Sequence, residues 1–69
     1  MPYNYSKLLG RIVECCGTQA AFAEKIGISE RSVSLKLNGK RAWKQGEIGE
    51  ACKILEIPTN QIDQYFFAL

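Results

Sequence analysis

The sequence predicts an all-α domain of five short helices, and three observations carry that expectation. Apolar residues recur at three- and four-residue spacing in successive stretches, the period of a helix face. Stop signals at Gly17, Gly27 and Asn38-Gly39 alternate with start signals at Thr18 and Ser29. The chain has 69 residues, one domain (1–69) near the lower size limit for folding without a staple.

The first helix is expected from about Tyr5 to Cys15, with Asn4 as N-cap. Tyr5, Leu8, Leu9, Ile12, Val13 and Cys16 fall on its inward face, and Lys7, Arg11 and Glu14 on the other. Gly17 ends it, because glycine enters the left-handed region without steric cost. Thr18 caps the second helix, whose inward stripe is Phe22, Ala23 and Ile26. Gly27 supplies the positive φ of a tight turn, Ile28 plugs the core, and Ser29 caps the third helix. In that helix Val33 and Leu37 point inward together, and Asn38-Gly39 ends it. Trp43 folds back as core after a basic connection. The fourth helix, Gln45 to Glu56, buries Ile48, Ala51, Cys52 and Leu55. Pro58 disfavours helix at Ile57, and a last helix from Asn60 to about Phe66 buries Ile62 and Phe66. Tyr65, Phe67 and Leu69 add an apolar end that either closes the core or pairs with a second copy.

Composition excludes several function classes. An apolar content of 46% argues against disorder. No apolar run is long enough to span a bilayer, and the polar, aromatic start Met1-Pro2-Tyr3-Asn4-Tyr5 is not a signal peptide. Three cysteines, two of them adjacent, make no disulfide framework, and without histidine they make no zinc site. They read as small buried hydrophobes in a reducing, cytoplasmic setting. An enzyme is not expected, because there is no histidine, no carboxylate pair placed in a cleft and no glycine-rich phosphate loop. No cofactor, metal or small-molecule ligand is expected either.

Charge is unevenly distributed. Residues 1–30 balance, residues 31–46 carry Arg31, Lys36, Lys40, Arg41 and Lys44 with no acid, and residues 47–69 carry three more acids than bases. A basic block beside an acidic end suggests one side that faces a polyanion.

Two helices around a glycine-containing turn form the unit that sets a recognition helix, here about Ser29–Leu37, into the major groove of double-stranded DNA. With Val33 and Leu37 inward, Ser29, Glu30, Arg31, Ser34 and Leu35 are the candidate base contacts. Arg31 suits guanine O6 and N7, Glu30 accepts from cytosine N4, and Ser34 bonds either way. Leu35 is read either as a thymine-methyl contact or, after a slight rotation, as core. Thr18 and Gln19 start the second helix, where amides and the helix dipole favour phosphate. Lys36, Asn38, Lys40 and Arg41 complete the candidate phosphate contacts.

Thr18-Gln19, Phe22-Ala23, Gly27-Ile28-Ser29, Val33-Ser34 and Asn38-Gly39-Lys40 resemble the helix-turn-helix of the lambda repressor-like superfamily of phage repressors, Cro proteins and xenobiotic-response-element-type regulators. The resemblance covers the whole chain and is strongest to small Cro-like phage regulators. It implies a compact five-helix DNA-binding domain, a repressor acting by operator occupancy, and a homodimer on a palindromic operator. Within it, the phosphate-contacting glutamine falls on Gln19, the base-reading positions on Ser29, Glu30, Arg31, Ser34 and Leu35, and the basic residue after the helix on Lys40. Where many relatives have an apolar residue and then an acid, this chain has Lys36 and Leu37, which leaves open the face that Leu35 and Lys36 occupy. The alternative is a protein-interaction module on the same fold, an antitoxin or adaptor.

Overall fold

A computed structural model describes residues 3–69, so the first two residues of the polar, aromatic start lie outside it. It contains α1 (Ser6–Cys16), α2 (Gln19–Ile26), α3 (Glu30–Leu37), α4 (Gln45–Leu55), a single 3₁₀ turn (Thr59–Gln61) and α5 (Ile62–Phe66). The five-helix, all-α expectation therefore holds, with bounds shifted by a residue or two and the start of the last helix tightened into the 3₁₀ turn. α2 lies at the centre and packs against α1, α3 and α4, while α1 also packs against α4 and α5. Leu8, Ile12, Phe22, Ala23, Val33, Ala51, Leu55, Ile57 and Phe66 form the buried core.

The capping chemistry follows the residue types. Thr18 Oγ1 accepts from the Ala21 amide at 3.0 Å and Ser29 Oγ from that of Ser32 at 3.1 Å. The N-cap of α1, however, is Tyr5 rather than the expected Asn4, whose Oδ1 accepts from the Ser6 amide at 2.9 Å from one residue earlier. Three helices end by one device. A residue at positive φ lets the next amide reach the carbonyl five residues back: Ile28 to Ala23, Lys40 to Leu35, and Ile57 to Cys52. Gly27 and Gly39 supply that φ after α2 and α3, whereas Glu56 supplies it after α4 at φ 54. A glutamate there carries no sequence signal, so α4 is expected one residue longer than it is.

The buried face of α1 is narrower than its apolar pattern. Leu8 and Ile12 are buried, but Leu9 and Val13 are exposed, since the neighbouring helices cover only one strip. Arg11, placed on the outer face, instead reaches across: its Nε donates to the Leu55 carbonyl at 2.8 Å and ties α1 to the C-terminus of α4. At the chain's far end Phe66 is buried, as its helical spacing predicts, and it meets Trp43 edge-on at 5.3 Å. The Asn4 amide donates to the Ala68 carbonyl at 2.7 Å, so the two ends of the described chain are tied together. Among the described residues no helix is long and apolar enough to cross a membrane.

Candidate functional site

The three-residue turn Gly27-Ile28-Ser29 sets α3 against α2, and buried Val33 fixes the rotation of α3. Arg31 and Leu35 stand two residues either side of Val33, about 200° round the helix from it, and so face away from the core. Gln19, Glu30, Arg31, Ser34 and Leu35 line one open concavity. Five residues chosen for base and phosphate contact thus share a surface, with Leu35 and Ser34 half-buried and Glu30 and Arg31 exposed. Gln19 and Ser34 also border a second concavity with Leu9, Leu37 and Asn38, which extends the same surface toward α1.

Ser29 works as the cap of α3, and its hydroxyl also donates to Ser32 Oγ at 3.0 Å. Thr18 caps α2 by accepting, which leaves its hydroxyl proton free to donate outward. Asn38 is exposed at the end of α3, where its amide donates back to the Ser34 carbonyl at 2.9 Å. Lys40 and Arg41 are exposed on the loop that Gly39 turns beside the helix.

Lys36 is not a phosphate contact. Its side chain is 3% exposed and its ammonium is held inside, 2.8 Å from Glu47 Oε1 and 3.0 Å from the Ala42 carbonyl. The Trp43 ring lies 5.8 Å away as a cation–π partner. A lysine has three donors and no acceptor, so it enters an interior only where a carboxylate, a carbonyl or a π face meets it. Here the loop after α3 supplies the carbonyl and the π face, and α4 supplies the carboxylate. Glu47 also accepts from the Lys44 amide at 2.9 Å, at the N-terminus of α4. Burial pushes its carboxyl up, but the Lys36 hydrogen bond, the Lys44 amide and the charges of both lysines outweigh it and hold it below the ordinary carboxylate range. The exposed basic block therefore reduces to Arg31, Lys40, Arg41 and Lys44.

Sequence reasoning missed Ser32. Its Oγ accepts from Arg41 Nη1 at 3.1 Å as well as from Ser29. Its place three residues after a capping serine marks the first turn of α3, but nothing in the linear pattern shows that Arg41 returns to it.

The model of the family described as "Protein of unknown function (DUF739)" matches residues 1–68. The chain belongs to that family. This DUF739 chain is also similar to a protein of known structure, the modulator of repression (MOR) of the temperate bacteriophage TP901-1 from Lactococcus lactis. The two are 55% identical, the match covers 97% of this chain and 90% of that one, and the TM-score is 0.83. A comparison with curated proteins finds no match.

Proposed function

We propose that this protein is a phage-type regulator of repression that binds double-stranded operator DNA through the exposed face of α3. One observation carries the reading: Arg31, Ser34 and Leu35 project opposite buried Val33 and share a concavity with Gln19. Lys40 and Arg41 are exposed on the loop after α3, Arg41 bonded to Ser32, and would serve as phosphate partners. This is the arrangement that the resemblance to the lambda repressor-like helix-turn-helix implies, with a recognition helix for the major groove. The relative named a modulator of repression supports a role on the same process. The activity is binding, without catalysis, cofactor or small-molecule ligand, in the cytoplasm of a host cell, and occupancy of the operator excludes RNA polymerase.

One helix reads few base pairs, so two copies on a palindromic site supply the specificity. The surface for pairing is the apolar end, where Phe67 is 46% and Leu69 89% exposed. Phe67→Ser is expected to shift the protein toward monomer in sedimentation without unfolding it, because the core residue there is Phe66. Unchanged sedimentation would remove Phe67 from the pairing surface.

Arg31→Ala is expected to weaken binding to the selected operator by about 1–3 kcal/mol and spare unrelated duplex. Equal loss on both would make Arg31 a phosphate contact. With four exposed cations in the basic block, the slope of log K against log salt from that block reaches about −3.6 for each bound copy, and about twice that for two copies on one operator. Selection from random duplexes, read for a two-fold consensus, tests the operator and the dimer together.

A second reading has its own observation. With Lys36 withdrawn, the concavity on α3 holds one cation, Arg31, one acid, Glu30, and an apolar Leu35. Such a mixed face also suits a protein partner in the repression machinery. Salt-independent association, or no affinity for any duplex, would favour that reading.

A further inference from the structure

We infer that Ser32 is a positioning residue that latches Arg41 against one flank of α3, opposite Gln19, and so presents its guanidinium to the far wall of the groove. The inference rests on the DNA reading of the α3 face. Ser32 and Ser34 lie about 100° to either side of Val33 on the helix. Gln19 shares a concavity with Ser34. Arg41 is held at 3.1 Å by Ser32 on the other flank, nine residues back along the chain. The projecting strip of Arg31 and Leu35 therefore has one candidate phosphate partner on each side.

The dimensions make this arrangement useful. A helix with its side chains is about 10–12 Å across, close to the width of the major groove at about 12 Å. A helix seated there meets both sugar–phosphate walls, and the residues on its two flanks are the ones that touch them. A guanidinium has five N–H donors in a planar fork, so one bond to Ser32 leaves the others for a phosphate oxygen. Arg41 sits on a loop with an exposed side chain, and a free arginine there loses rotamer entropy on binding. The bond to Ser32 restricts that freedom before DNA arrives. Ser32→Ala removes the acceptor but keeps the backbone amide that Ser29 caps, so α3 retains its start.

A double-mutant cycle read by fluorescence anisotropy, on the selected operator and on an unrelated duplex over a salt series, tests the latch. Ser32→Ala is expected to weaken both duplexes about three- to ten-fold with the salt slope unchanged, since the charge of Arg41 remains. Arg41→Ala is expected to weaken both at least as much and to lower the slope by about one for each bound copy. The double variant is expected to match Arg41→Ala alone, and Ser32→Thr, which keeps the hydroxyl, to bind as the parent does. A Ser32→Ala loss that adds fully to that of Arg41→Ala would assign Ser32 to helix stability and overturn the latch. An inert Ser32→Ala in a protein that binds DNA would overturn it alone, whereas a parent protein without affinity for any duplex would overturn the DNA reading as well.

Discussion

Glu47→Gln is expected to destabilise the domain by about 3–5 kcal/mol, because it leaves the Lys36 ammonium buried without a counter-charge. Domains of this size have roughly 3–10 kcal/mol in total, so the variant should be largely unfolded at 37 °C. Urea titration followed by circular dichroism measures it. Lys36→Met should cost less. The carboxylate it abandons is 19% exposed, against 3% for Lys36, and keeps its bond from the Lys44 amide. Combining Lys36→Met with Glu47→Gln should recover most of the loss, since no charge then remains inside. Equal losses in both single variants, with no recovery in the double, would mean that packing rather than charge sets the effect.

The same pair predicts a pH dependence with a definite sign. The Glu47 carboxyl is held below its ordinary value of 4.5 in the folded protein. Its contribution is present above the unfolded value and is lost as pH falls through the folded one. The parent should therefore lose stability below about pH 4.5 more steeply than Glu47→Gln, which has no carboxyl to titrate at that position. On the proposed DNA-binding function, Lys36→Met should leave the salt slope unchanged, because the Lys36 ammonium is buried away from any phosphate.

Phe22→Ala is the second large effect, at about 3–5 kcal/mol. Phe22 is fully buried in α2, the helix that packs against α1, α3 and α4, so its cavity opens where four helices meet. The surrounding backbone cannot close the gap without moving the turn that aims α3. Phe22→Leu keeps most of the volume and should cost roughly 1–2 kcal/mol. Hydrogen exchange across α3 distinguishes the two. Protection lost throughout α3 in Phe22→Ala is the expected result, and loss confined to α2 would show that the helices are held independently.

Much of the architecture is legible without coordinates because its determinants are local. Thr18 and Ser29 accept from amides within their own first turns, and Gly27 and Gly39 take positive φ for the turns they begin. Phe22, Val33 and Phe66 are apolar residues at helical spacing, and the structure buries all three. The grouping of Glu30, Arg31, Ser34 and Leu35 on one surface follows from the period of α3 once Val33 is turned inward, while Gln19 joins it through the packing of α2 on α3.

What escaped the linear reading depends on partners far along the chain. The apolar spacing of α1 marks Leu9 and Val13 as inward, yet how wide a strip is covered depends on where α2, α4 and α5 lie. Arg11 looks like a solvent residue until the end of α4 comes within reach of its Nε. Ser32 has no evident role until the loop after α3 brings Arg41 back along the helix.

The sequence alone determined that there are five helices, where each lies to within a residue or two, and that Val33 turns inward while Arg31 projects from α3, since capping and helical period act within a few residues. Only the tertiary structure decided the side taken by Lys36. Its charge costs too much to bury alone, and it turns inward because Glu47, the Ala42 carbonyl and Trp43 arrive together from elements the local pattern does not connect. That one side chain removes a cation from the outer face of α3 and fixes the loop from which Lys40 and Arg41 project.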